Sequence, residues 1–250
     1  MNLYPEFEGQ KVVITGIASG IGFEQAKAML EAGAIVFGAD INLNEQITEL
    51  KQFDNFYFTQ CDVRKRESVN RWLKPILAEN SIDILLNTAG ILDGFAPTLE
   101  TTEEQWDNIF NTNLKSMFLI TNLVLPTMLA QKHGTIVNMA SIAGLVAGGG
   151  GAAYTAAKAG IIGYTKQLDY DYAAQGIRAN CIAPGAIDTP MNAADFAGDA
   201  HMAKWVASET PAKRWAQPAE VAQLTMFLAS PRADYIHGTA VPIDGGWLEK

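Results

Sequence analysis

Lys11-Val12-Val13-Ile14-Thr15-Gly16-Ile17-Ala18-Ser19-Gly20-Ile21-Gly22 is the stretch on which the fold turns. The β-branched run Lys11–Gly16 has the composition of a buried strand and ends in glycine. Phe23–Glu31 follows as a helical segment, with Gly33 as its stop. Glycines at 16, 20 and 22, between strand and helix, permit a tight turn and let backbone N–H groups approach a pyrophosphate. The helix N-terminus adds positive potential there. Many turns carry glycines, so the context matters more than the triplet. Ala34–Ala39 (AIVFGA) predicts a second strand, and Asp40 ends it, 18 residues after Gly22. A carboxylate at that point is placed to accept from the ribose hydroxyls of an adenosine and to repel a 2′-phosphate. No Arg or Lys occurs at 17–19 or 41–44 to offset the repulsion. The pattern favours NAD(H) over NADP(H).

Outward from this unit, the chain keeps alternating. Asn55–Gln60 (NFYFTQ) predicts a third strand, with Cys61-Asp62-Val63 at its C-terminal end. Asp62 has two readings, a partner for the adenine amino group or the cap of a following helix at Arg64–Glu79. Ile82–Leu86 predicts a fourth strand entering Asn87-Thr88-Ala89-Gly90, small residues that suit close passage of backbone past a cofactor, with the Asn87 amide able to brace neighbouring strands. Thr102–Leu129 reads as one long helix carrying Asn111 and Asn113, polar amides amid apolar neighbours. Gly134–Ala140 predicts a fifth strand delivering Ser141. A helix around Tyr154 runs to about Ala174, and Arg178–Ala183 predicts a sixth strand, broken by Pro184-Gly185. Ile187–Gln217 is irregular and reads as a substrate lid. Pro218–Ser230 predicts a helix and Ala240–Ile243 the last strand. Strand–helix alternation of this kind predicts a single α/β domain over 1–250: a doubly wound Rossmann fold, a mostly parallel seven-stranded sheet with helices on both faces. Ligands of such folds sit at the C-terminal strand ends, and Gly16–Gly22, Asp40, Asn87–Gly90, Ser141 and Pro184–Gly185 all fall on that edge.

Tyr154 and Lys158 stand four residues apart, so on a helix their side chains share one face. An ammonium beside a phenol favours the phenolate and predicts a Tyr154 pKa below its usual value near 10. Such a tyrosine exchanges a proton with a substrate oxygen near neutral pH. Ser141 is placed to hydrogen-bond the same oxygen once the glycines 148–151 let the chain return.

Composition narrows the class. With 48% hydrophobic and 18% charged residues the chain reads as globular, and a net charge of −9 disfavours nucleic acid, an anionic membrane or an acidic protein partner. Cys61 and Cys181 sit in apolar strand-like contexts and are expected as buried thiols. MNLYPEFEGQ lacks the basic and apolar regions of a signal peptide, and no apolar run reaches spanning length, so a soluble, cytoplasmic protein is expected. His133, His201 and His237 are too scattered for a local metal-ligand motif, and no metal is expected.

TGIASGIG at 15–22, Asp40, Asp62-Val63, NTAG at 87–90, Asn113 in TNLKS, Ser141, Tyr154-Thr-Ala-Ala-Lys158 and PGAIDTP at 184–190 occur in order over nearly the whole length. Together they resemble the classical short-chain dehydrogenase/reductase family, its 3-oxoacyl-[acyl-carrier-protein] reductase-like members above all. Thr88 departs from the pattern, since the family often has a second asparagine there. The resemblance implies an NAD(P)-linked oxidoreductase with a catalytic tetrad of Asn113, Ser141, Tyr154 and Lys158, Asn113 holding a water that connects Lys158 to solvent. It implies cofactor contacts from Gly16, Ser19, Gly20, Ile21, Gly22, Asp40, Asp62, Val63, Asn87, Ala89, Gly90, Tyr154, Lys158, Pro184 and Gly185, with Ile187 and Thr189 on the carboxamide. A homotetramer or homodimer on the helices around 103–130 and 152–174 is implied as well. The expected substrate is a small or medium secondary alcohol or ketone, with Met191, Phe196, Met202 and Trp205 forming an apolar pocket. Reduction of an acyl-carrier-protein thioester is the alternative, and a non-catalytic NAD sensor a remote one. Carrier proteins are acidic and need a basic docking patch. Only Lys132, His133, Lys204, Lys213 and Arg214 offer one.

Overall fold

Alternate residues of the central strands belong to two different cores, and that alternation fixes the layering. In β1 (Lys11–Thr15), Val12 and Ile14 face one core while Val13 faces the other. The same split recurs in β4 (Ile84–Asn87) and β5 (Gly134–Met139), with Leu85 and Ile136 opposite their neighbours. The computed structural model describes residues 3–249; Met1, Asn2 and Lys250 of the expected 1–250 domain lie outside the described residues. β2 (Ile35–Asp40), β3 (Phe56–Gln60), β6 (Ile177–Pro184) and β7 (Ala240–Ile243) complete a sheet of seven strands in the order β3-β2-β1-β4-β5-β6-β7. Every pairing is parallel.

Helix α1 (Gly20–Glu31) and α8 (Pro218–Ala229) cover one face through Phe23, Ala26, Met29, Val221 and Met226. On the other face, α3 (Arg66–Glu79), α5 (Ser116–Gln131) and α6 (Ala152–Tyr172) pack Trp72, Leu73, Val124, Met128 and Leu168. Each large apolar side chain so buried contributes roughly 1.5–3 kcal/mol. The chain winds outward from β1 to β3, then crosses back to β4, so the strand order reverses between β1 and β4. A crevice opens there at the C-terminal strand ends. No described helix is long and apolar enough to cross a membrane.

Two local readings are corrected, and one short helix is added. The helix expected over 102–129 is α4 (Glu103–Phe110), a π-helical turn at Asn111–Lys115, and α5. The extra residue of a π turn rotates the helix, and here it accompanies an Asn113 amide bonded to the backbone of Ile91. A short α2 (Glu45–Leu50) follows Asn44, whose side chain accepts from Ile47 N. Ile187–Gln217 is not irregular: it holds a 3-10 segment at Pro190–Phe196 and α7 (His201–Glu209).

Candidate active site

The crevice is a cleft of about 440 Å³, within the size range of small-molecule sites. At the end of β1 the strand-to-helix turn needs its glycines. Gly16 has φ +77°, and a Cβ there would lie 2.8 Å from Ala89 Cα. A Cβ on Gly22 would overlap Gly16 O. Ser19, extended and exposed, is the N-cap of α1 without a side-chain capping bond. Ser19, Gly20 and Ile21 line the cleft with these glycines. Asp40 closes β2 and ties the turn in place, accepting from Ala18 N at 2.9 Å and from Asn42 N at 2.8 Å.

Beyond Asp40 stand Asp62 and Val63. Asp62 is not the cap of α3, whose N-cap is Lys65. It accepts from Arg64 N at 3.1 Å and from Arg64 Nε at 2.9 Å, and the guanidinium holds its carboxyl below the usual range. Arg64 also donates to Asn108 Oδ1 of α4 at 2.8 Å. Arg64, Asn108 and Thr112 therefore join the cleft wall. No local motif marks them, because α4 comes from a distant part of the chain.

The centre of the cleft is supplied by the ends of β4 and β5. Ala89 and Gly90 line it, but Asn87 stands behind it, fully buried, donating to Asn138 Oδ1 of β5 at 2.9 Å. Its amide braces two strands and does not line the cleft. Asn113 is likewise behind the wall: its Oδ1 accepts from Ile91 N at 2.8 Å and its Nδ2 donates to Ile91 O at 2.9 Å. With both ends of the amide bonded to backbone, the side chain clamps the β4 exit loop.

Ser141, Tyr154 and Lys158 converge from two elements. Ser141 follows β5, its Oγ accepting from Ala143 N at 3.1 Å. The turn after it abuts α6, for a Cβ on Gly144 would lie 2.7 Å from the Lys158 carbonyl. Lys158 Nζ donates to Met139 O at 2.8 Å and lies 5.3 Å from the Tyr154 ring centroid. Burial pulls the lysine down to about 8. Burial also pushes the Tyr154 phenol up to about 12, its hydrogen bond with Ser141 working against the rise and the Asp93 carboxylate adding to it. The expected depression of the Tyr154 pKa by Lys158 is thus corrected. Desolvation of the phenol outweighs the ammonium, which burial itself discourages.

Pro184, Gly185, Ile187 and Thr189 continue the wall from the end of β6. Of the expected apolar pocket only Met191 lines the cleft. Phe196 packs on Trp215 at 4.9 Å between centroids, and Met202 and Trp205 are half exposed. Ile91, Leu92 and Phe95 supply the apolar lining that the sequence did not reveal. The neck of the 187–217 segment is stitched, with Asp188 N donating to Ala216 O at 2.9 Å and Ala216 N to Ala186 O at 3.0 Å. The cations considered for docking are not at the cleft. Lys132 and His133 precede β5, at the opposite edge of the sheet, and Arg214 pairs with Glu220 at 2.7 Å.

Comparison with known proteins agrees with this fold. A family model described as enoyl-(acyl carrier protein) reductase matches residues 16–248. Dehydrogenase/reductase SDR family member 6 of Rattus norvegicus is 38% identical, with 96% of this chain and 98% of that protein covered. The 3-oxoacyl-[acyl-carrier-protein] reductase FabG of Thermotoga maritima is 36% identical over 96% of this chain and 98% of its own. Among solved structures, a candidate NAD(P)-dependent gluconate 5-dehydrogenase from Beutenbergia cavernae, with NADP at low occupancy, superposes with a TM-score of 0.91 at 32% identity, covering 97% of this chain and 98% of that one. Such proteins are oxidoreductases that use nicotinamide cofactors on CH–OH groups and ketones. From the glycine turn to Lys158, by motif, topology and likeness alike, the chain belongs to the classical short-chain dehydrogenase/reductase family.

Proposed function

We propose that the protein is an NAD-dependent oxidoreductase acting on a neutral secondary alcohol or ketone with apolar flanks, Tyr154 serving as general acid and base. The observation that carries this is the meeting of Ser141, Tyr154 and Lys158 in one cleft with the glycine turn and Asp40. The glycine turn binds the pyrophosphate through backbone N–H groups, and Asp40 accepts from the adenosine ribose. The nicotinamide, when bound, supplies or takes up the hydride and, in its oxidised form, a positive charge near Tyr154. That charge offsets the desolvation which holds the phenol up in the protein alone. Ser141 orients the substrate oxygen, Tyr154 takes its proton in alcohol oxidation and returns it in ketone reduction, and Lys158 holds the nicotinamide ribose. Asn113 keeps the loop at Ile91 in place beside them, and Ile187 and Thr189 orient the carboxamide end.

Absence of a free cation at the reacting end of the cleft supports a neutral substrate. Arg64 and Lys158 are the only Lys or Arg among its described lining residues, and they are engaged by Asp62 and Met139 O. A carboxylate at the reacting end would find no Lys or Arg among the described lining residues there other than Lys158 to pair with. Asp40 supports NAD over NADP, the 187–217 segment serves as the lid, and the buried thiols Cys61 and Cys181 fit a reducing cytoplasm. Exposed Trp106, Phe118 and Tyr170 on α4, α5 and α6 support a homodimer or homotetramer through those helices. Turnover with NADH and NADPH on simple ketones, diketones and acetoacetyl thioesters tests the proposal. Preference for NADH and ketones upholds it, whereas strong thioester reduction with NADPH refutes it in favour of fatty-acid synthesis. Tyr154→Phe is expected to abolish turnover while NADH affinity stays within a few-fold; retained turnover refutes the role of Tyr154.

A further inference from the structure

Gly151 is the N-cap of α6 and has no side chain with which to cap it. The missing group comes from elsewhere in the chain. Asp93, in the loop after β4, accepts from Gly151 N through Oδ1 and from Tyr154 N through Oδ2, both at 2.8 Å. Ala152 N is met by Ala96 O at 3.1 Å. A helix start otherwise leaves such donors unpaired, and a carboxylate facing them is stabilised by the helix dipole. The fit is close: a Cβ on Gly151 would lie 2.6 Å from Asp93 Oδ2 and from Ala96 N and O.

The same Oδ1 also accepts from Phe95 N at 3.2 Å. Phe95 has φ +61°, following Gly94 at +67°, so an aromatic residue is held in the left-handed region. That conformation is uncommon for a bulky side chain and persists only when its surroundings enforce it. Phe95 lines the cleft and is half exposed at its mouth. One carboxylate thus joins the substrate-side loop to the turn of α6 that carries Tyr154.

We propose that Asp93 is a positioning residue for the reaction: it fixes the Tyr154 backbone and Phe95 together and sets a carboxylate at the start of the helix that carries the phenol. The proposal rests on the reading of Tyr154 as the proton-exchanging group. Two charged side chains stand next to Tyr154, Lys158 with its Nζ 5.3 Å from the ring centroid and Asp93 with Oδ2 2.8 Å from the backbone N. Ser141, from the segment after β5, is neutral, and Asp40, Asp62 and Arg64 belong to the β2–β3 end of the cleft. A nearby negative charge disfavours the phenolate, and burial of the phenol acts in the same direction.

The test uses the full chain with Asp93→Asn and Asp93→Ala. The pH dependence of kcat/KM for alcohol oxidation is measured with NAD and a secondary alcohol. In parallel, the Tyr154 titration is followed by NMR of ring-labelled tyrosine, the signal being assigned as the one absent from Tyr154→Phe. For Asp93→Asn, the rising limb of the profile and the Tyr154 titration are expected to move to lower pH by on the order of one unit. Asp93→Ala, losing all three acceptor contacts, is expected to show that shift with a larger drop in kcat than in NAD affinity. Loss of activity in both variants with limb and titration unmoved overturns the proposal, leaving Asp93 a cap and no more. If Tyr154→Phe keeps its turnover, the reading of Tyr154 fails on its own, and the NMR titration still decides whether Asp93 sets the acidity of that phenol.

Discussion

Lys158→Met is expected to stabilise the protein at neutral pH while destroying its activity. Lys158 is 4% exposed, and burial takes its pKa from 10.5 to about 8. At pH 7 the lysine is charged in both folded and unfolded chains, but the folded one holds the ammonium at a disadvantage of about 3 kcal/mol, at roughly 1.4 kcal/mol per pH unit. Because the folded pKa is the lower, the unfolded chain binds more protons between pH 8 and 10.5. Stability therefore rises with pH across that window and is lost as pH falls through it. Met fills a similar volume and has nothing to ionise. It removes a buried donor from Met139 O, about 1–3 kcal/mol, so the net gain at pH 7 lies between about zero and 2 kcal/mol. Urea unfolding at one fixed protein concentration, at pH 7 and pH 9.5, checks this. The advantage of Lys158→Met over the native chain should shrink by about 2 kcal/mol between the two. Tyr154, pushed up to about 12, loses its proton outside this range in the folded state and is common to both proteins. A variant less stable than the native chain at pH 7, or a gap that does not narrow with pH, refutes the reasoning. Confirmation would mean that the site holds a charge the fold would be better without.

Gly16→Ala should fail at the cofactor turn. Its φ of +77° and a Cβ contact of 2.8 Å with the Ala89 backbone, which has no flexible end to yield, predict a loss of roughly 1–3 kcal/mol of stability and at least about tenfold weaker NADH binding, read by fluorescence titration. Gln25→Leu should break a buried chain in which Thr88 Oγ1 donates to Gln25 Oε1 at 2.6 Å and Gln25 Nε2 to Thr225 Oγ1 at 2.8 Å. Thr88 lines the cleft and Thr225 Oγ1 keeps its bond to Val221 O, so the loss expected in urea unfolding is about 0.5–1.5 kcal/mol, and an unchanged midpoint would show that the chain contributes nothing.

Thr88 shows how a departure from the family pattern is absorbed. The family often places an asparagine there, and the sequence alone gives no reason for the change. In the fold, a buried glutamine of α1 reaches across to the shorter threonine, while Thr88 N and Ala89 N donate to Thr15 Oγ1 at 3.0 and 3.1 Å. The junction of β1, β4 and α8 is thereby satisfied without the second amide.

Local sequence determined the strands, the strand–helix alternation that marks a parallel sheet, the glycine turn, Asp40, and the face shared by Tyr154 and Lys158. Each of those follows from hydrophobic period, a turn that excludes side chains, or spacing along one helix, and none needs a distant residue. Tertiary structure alone decided what depends on partners far along the chain. It set Asn87 and Asn113 behind the cleft, brought Arg64 and Asn108 together in its wall, and sent Lys132 and His133 to the far edge of the sheet. It also reversed the expected direction of the Tyr154 shift. A spacing of four residues says which charge is near, but the cost of removing a phenol from water depends on everything packed around it, and that is a property of the folded chain.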